Sequence, residues 1–156
     1  MLTYREIGQL GEEVIAKWFQ SKGSIVKIAK QFDDKKDMTI DGVSTEIKTQ
    51  SLYRSFPFPG KSMSAFTVPI LADNKLHTNQ LSKCMNVPQL IFVQRPTLSD
   101  PVVRLYRAPE PGHRPFTIIQ NSKDGRYVAG LKHTLMTEIA QVEDKNIVQK
   151  LMDNWR

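Results

Sequence analysis

Apolar residues open this chain with the spacing of a helix. Ile7, Leu10, Val14, Ile15 and Trp18 fall on one stripe of a 3.6-residue repeat. Thr3-Tyr4-Arg5-Glu6 sets a hydroxyl three residues before a carboxylate, the capping box that starts such a helix. Lys22-Gly23 ends it, because glycine tolerates the left-handed backbone a helix C-terminus often needs. The pattern then changes. Residues 24–30 are rich in β-branched side chains and predict a strand, and residues 31–36 predict a polar loop. Two short alternating runs, residues 37–40 and 43–49, flank Asp41-Gly42 and predict a β-hairpin closed by a two-residue turn.

Further along, prolines and a glycine predict a loop over residues 51–64. Strands are predicted over 65–70, 89–94 and 102–107, and a helix over 74–85. A second hairpin is predicted from 116–120 and 126–131 around Lys123-Asp124-Gly125, and a last helix over 144–155. Helices and strands mixed in this order predict one α/β domain spanning residues 1–156. Its 156 residues suit a single core. No apolar run reaches the roughly 20 residues a membrane helix needs, and residues 1–10 lack the apolar centre of a signal peptide. Cys84 is the only cysteine, so neither an internal disulfide nor a cysteine-built zinc finger can form, and a reducing cytoplasmic setting is expected.

Charge adds a direction. The net charge is +6, but residues 1–50 balance eight Lys/Arg with eight Asp/Glu. Residues 51–132 hold eleven Lys/Arg against four Asp/Glu, so the excess sits in the middle of the chain. Carboxylates followed by a basic stretch suit a site that holds a metal beside a polyanion. In residues 51–61, Tyr53, Phe56 and Phe58 are interleaved with Arg54 and Lys61, a composition suited to stacking on bases and pairing with phosphates. Arg54 and Lys61 are the candidate DNA contacts, with at least one Phe expected in the core. Arg104, Arg107, Arg114, Lys123 and Arg126 are candidates to extend the basic surface.

The first hairpin carries the chemistry. With Asp41-Gly42 as the turn, Ile40 faces Val43, Thr39 faces Ser44, Met38 faces Thr45 and Asp37 faces Glu46. One face is then Met38, Ile40, Val43, Thr45 and Ile47, suited to the core. The other is Asp37, Thr39, Ser44, Glu46 and Lys48. Opposed residues have Cβ atoms about 4.5–5.5 Å apart. Two ionised carboxylates that close repel unless a cation joins them, and Mg²⁺ commonly takes one or two carboxylates with several waters. Lys48, on the same face, is placed to position an attacking water or stabilise phosphate charge. Gln50 continues that face and is a candidate for contact with the water or the phosphate. The plainer reading of Glu46 and Lys48 is a surface ion pair on an exposed strand.

Asp37 followed nine residues later by Glu46-Ile47-Lys48 resembles the active-site signature of the PD-(D/E)XK nuclease superfamily. Tyr4-x-x-Ile7-Gly8-x-x-Gly11-Glu12 ahead of it is similar to compact members such as Holliday-junction resolvases and homing endonucleases of that superfamily. Lys36 stands where the name-giving pattern has proline. The resemblance implies a restriction-endonuclease-like mixed central sheet flanked by helices. It implies Mg²⁺, with Mn²⁺ able to substitute, bound by Asp37, Glu46 and the Ile47 carbonyl. It further implies DNA hydrolysis leaving a 5′-phosphate and a 3′-hydroxyl. Many relatives carry a helix glutamate. On a helical wheel Glu12 borders the apolar stripe while Glu13 lies opposite, so Glu12 is assigned to the site, as an additional or outer-shell metal ligand, and Glu13 to solvent. One domain offers one site, so a homodimer or larger symmetric assembly is expected for cutting both strands. The rival expectation is a DNA-binding or assembly protein without catalysis.

Overall fold

In a computed structural model, residues 2–28, 37–72, 75–76, 78–120 and 125–152 are described. The predicted loop 31–36, with Asp33 and Asp34, lies outside them, as do Lys123 and Trp155.

Helix α1 (Tyr4–Ser21) begins at the predicted capping box. Glu6 N–H donates to Thr3 Oγ1 at 3.2 Å, and Thr3 N–H donates to Glu6 Oε1 at 3.1 Å. Such a cap stabilises a helix by about 1 kcal/mol. Strands β1 (Val26–Ile28), β2 (Met38–Ile40) and β3 (Val43–Gln50) form an antiparallel meander. The β2–β3 register is the predicted one for Ile40 with Val43, Thr39 with Ser44 and Met38 with Thr45, but the ladder ends there: Asp37, predicted opposite Glu46, instead donates its N–H to Thr45 O. Asp41 and Gly42 both have positive φ, 50° and 80°, as a type I′ turn requires. Asp41 Oδ1 also accepts from Ile25 N–H at 2.8 Å, which gives this carboxylate a structural task and holds its pKa below the usual range.

The segment predicted as a loop is instead a hairpin, β4 (Tyr53–Phe58) and β5 (Lys61–Ala72), turning at Pro59-Gly60. The prolines mislead because β4 is an edge strand, where Pro57 removes no necessary hydrogen bond. Two-residue β6 (Lys75–Leu76) pairs with β5, and α2 (Thr78–Asn86) follows. Then come β7 (Gln89–Gln94), β8 (Val103–Arg107), β9 (Thr117–Gln120), β10 (Tyr127–Lys132), a short 3₁₀ turn at His133–Leu135, β11 (Thr137–Val142) and α3 (Lys145–Leu151). Strand β11 is not predicted from the sequence, because its side chains are largely exposed and lack apolar alternation.

Six strands form one mixed sheet in the order β1-β2-β3-β7-β8-β11, with β3 and β7 parallel. A second sheet runs β4-β5-β10-β9. On one face of the first sheet, Ile7, Val14, Ile15 and Phe19 of α1 and Val148 and Leu151 of α3 pack on Met38, Ile40, Ile47, Ile91, Val93 and Leu105. On its other face Leu90, Phe92 and Tyr106 meet Cys84 of α2 and Phe66, Val68 and Leu131 of the second sheet. The fold is thus mixed α/β. The alternation of β3 follows directly: Ile47 points toward α1, and its neighbours Glu46 and Lys48 point toward α2.

Candidate active site

The β2 ladder stops at Met38, while β3 runs on to Gln50, so β3 has an open edge beyond the hairpin. Asp37 sits at that step. Its N–H donates to Thr45 O at 2.9 Å, and its Oδ2 accepts from Ile47 N–H at 2.8 Å. Both backbone groups of one residue face the same neighbour in an antiparallel pair. The Ile47 carbonyl therefore looks onto the edge that the Asp37 carboxylate occupies.

Glu46 is only 1% exposed. Its Oε2 lies 3.1 Å from Lys48 Nζ, and its Oε1 lies 3.7 Å from Lys83 Nζ. The second separation is too long for a hydrogen bond, and among the described residues Oε1 has no hydrogen-bond partner. Burial raises the Glu46 pKa; Lys48 opposes the rise, Asp37 adds to it, and Lys83 opposes it. Lys48 Nζ also donates to Gln80 Oε1 of α2, so its ammonium is held from two sides.

Glu12 joins this group from α1. Its carboxyl is pushed up to about 7 by burial first, then by the charges of Asp37 and Glu46, with Lys48 pulling the other way. Glycine at position 11 makes this approach possible: a Cβ there would lie 1.7 Å from Thr49 Oγ1 on β3. Glu13 is exposed, as the wheel predicts. The raised Glu12 pKa has a measurable consequence. An acid that binds its proton more tightly when folded contributes stability below its unfolded pKa, near 4.5, and loses it as pH rises through about 7. Glu12→Gln, neutral at every pH, is expected to match the parent's melting temperature near pH 4.5 and to exceed it at pH 8 in metal-free buffer. Equal differences at both pH values would contradict this account.

Three predicted site residues, Asp37, Glu46 and Lys48, are therefore brought together with the Ile47 main chain beside them, and Glu12 lies within reach of their charges. Gln50 has a different task. Its side-chain amide donates to Thr67 O at 2.9 Å and accepts from Thr67 N–H at 2.7 Å, extending the edge of β5 where β4 ends. That pairing ties the two sheets together and occupies the amide expected to meet water or phosphate. The sequence reading missed Gln80 and Lys83, which α2 brings over the site. Their three-residue spacing puts them on one helix face, but only the tertiary fold aims that face at Glu46.

The oxygens gathered here, two carboxylates and a carbonyl with Glu12 alongside, are the hard donors Mg²⁺ prefers. The unbonded buried Oε1 of Glu46 fits a ligand in waiting. Among the described residues no three His, Cys, Asp or Glu side chains lie close enough together to hold a metal ion. The fit is to an ion keeping several waters, with Asp37, Glu46 and the Ile47 carbonyl as protein ligands.

Arg54 and Lys61 are exposed on the β4–β5 hairpin. Phe56 and Phe58 are buried and Tyr53 is exposed, so two aromatics of that segment serve the core. The other basic candidates divide. Arg114 is buried, not part of a basic surface: it donates to the carbonyls of Cys84, Val87, Pro88 and Pro109, and closes the end of α2. Arg104 pairs with Asp100 and Glu138. Arg107 and Arg126 are exposed. No helix among the described residues is long and apolar enough to cross a membrane. No protein-family model, curated protein or solved structure matches the chain.

Proposed function

We propose that the protein is a Mg²⁺-dependent DNA endonuclease of restriction-endonuclease-like fold, with Mn²⁺ able to substitute. The observation that carries this reading is Glu46. It is a buried carboxylate with an unbonded oxygen, set among Asp37, Glu12 and two lysines, and no packing need accounts for it. Asp37, Glu46 and the Ile47 carbonyl would hold the ion, which when bound acidifies water and draws charge from a phosphate oxygen. Glu12, whose carboxyl feels the charges of Asp37, Glu46 and Lys48, would act on the ion through its waters. Lys48, held by Gln80 and Glu46, keeps a positive charge where an attacking water or a phosphate oxygen must stand. DNA as the substrate is supported by the basic middle of the chain and by exposed Arg54 and Lys61. A homodimer would provide the second site that cutting both strands requires.

A second reading is favoured by the ion pairs themselves. Lys48 and Lys83 together could simply neutralise Glu46 in a DNA-binding or assembly protein that does no chemistry. Incubating the protein with a plasmid and with a four-way junction, in Mg²⁺ and in EDTA, separates the two. The nuclease reading expects cutting in Mg²⁺ alone, lost in Lys48→Ala. Binding without cutting, across duplex, junction and single-stranded ends, would favour the second reading. Preference for the junction or for one duplex sequence identifies the substrate.

A further inference from the structure

Lys83 and Lys48 both reach Glu46, but they are held differently. Lys48 is fixed between Glu46 Oε2 and Gln80 Oε1. Among the described residues the Lys83 ammonium has one partner, Glu46 Oε1, at 3.7 Å, and its side chain is 16% exposed. This contact is near enough for charge attraction and too long for a hydrogen bond. A pair built only for structure would be expected to close that gap, since among the described residues buried Oε1 has no hydrogen-bond partner.

Charge balance gives Lys83 a second use. Glu46 faces two ammoniums, those of Lys48 and Lys83, with Asp37 beside it. A divalent cation taking Glu46 would bring a phosphodiester anion into the same group, so an ammonium released from Glu46 has a new anion to meet. Attack on the phosphate then adds negative charge, and every nearby cation gains importance in the transition state. Lys83 is also the cation displaced on loading, because it sits against the oxygen of Glu46 that a metal would take. Its four-carbon stem lets the ammonium move, whereas Lys48 is tethered.

Resting on the nuclease reading, we infer that Lys83 is a second catalytic lysine. In the metal-free protein it is the counter-ion of Glu46; in the loaded complex it contacts the scissile phosphate and stabilises its developing charge. The bland role, counter-ion only, predicts a different pattern of effects.

The test uses Lys83→Met and Lys83→Arg, with Lys83→Gln as a second neutral variant should the Met variant not fold. Mn²⁺ affinity is measured by calorimetry, and single-turnover cleavage at saturating Mg²⁺. The neutral variants are expected to bind Mn²⁺ more tightly, because a competing cation is gone, yet to cleave about 10²-fold more slowly. Lys83→Arg is expected to recover most of that rate. Neutral variants that bind Mn²⁺ more tightly and cleave at the parental rate would overturn the inference and leave Lys83 a counter-ion. A parent that never cuts in Mg²⁺ would overturn the nuclease reading and this one with it, so the two failures are distinct.

Discussion

Glu46→Gln is expected to lower Mg²⁺-dependent cleavage by roughly 10³-fold or more while leaving the fold as stable as the parent's at pH 8, or more so. The two halves of this expectation have one cause. The amide keeps the shape of the side chain but removes the anionic oxygen a divalent cation needs. Stability moves the other way because burial raises the Glu46 pKa despite two nearby lysines. The folded protein therefore favours the neutral form more than the unfolded chain does. Stability linked to that proton is present below the unfolded pKa and is lost as pH rises through the folded one. At pH 8 the parent bears the burden of the buried charge, and the amide relieves it. The gain is limited because Lys48 and Lys83 lose their anion, though both side chains are partly exposed. Single-turnover assays and thermal melts at pH 5 and 8 test the pair of effects. An inactive variant that also melts far below the parent would mark Glu46 as structural. An active variant would remove it from the metal site.

What could be read from the residues depended on the range of the interactions involved. The α1 cap and the β2–β3 register are local: Thr3 and Glu6 are one turn apart, and Asp41-Gly42 sets the pairing of everything within a few residues. Strand β7 was legible over its full length, because a buried central strand is a continuous apolar run. The site inherits this legibility, since Asp37, Glu46 and Lys48 are placed by the same turn. Where partners are distant in sequence, local patterns fail. Pro57 and Pro59 signal a loop until β5 is known to leave β4 at an edge. Arg114 looks like a surface cation until the end of α2 presents carbonyls to it. Gln50 continues the face of Lys48 by alternation, but the adjoining edge of β5 captures its amide. Lys83 could not be paired with Glu46 before the fold brought α2 over β3.

Gly11→Ala is expected to destabilise the protein by about 1–3 kcal/mol and to weaken cleavage as well. Helix propensity alone argues the reverse, since alanine is favoured over glycine inside a helix by about 1 kcal/mol. Packing decides the sign. A Cβ at position 11 would stand 1.7 Å from Thr49 Oγ1, 2.9 Å from its Cβ and 3.1 Å from its Cγ2. Rotation of Thr49 cannot relieve the contact with its own Cβ, so α1 must move away from β3. Glu12 follows Gly11 on the helix, so the same shift carries Glu12 away from β3 and from the charges of Asp37 and Glu46. Thr49→Ala tests the cause. It removes Oγ1, which is buried without a hydrogen bond, and should by itself change stability little. Combined with Gly11→Ala it removes the two contacts at 1.7 and 3.1 Å and leaves the one at 2.9 Å. The double variant should therefore recover part of the lost stability and part of the activity, a non-additive result that denaturant melts and cleavage rates can both read. A Gly11→Ala variant at least as stable as the parent would show that propensity wins, and that α1 owes its closeness to β3, and Glu12 its place in the site, to something other than the missing side chain.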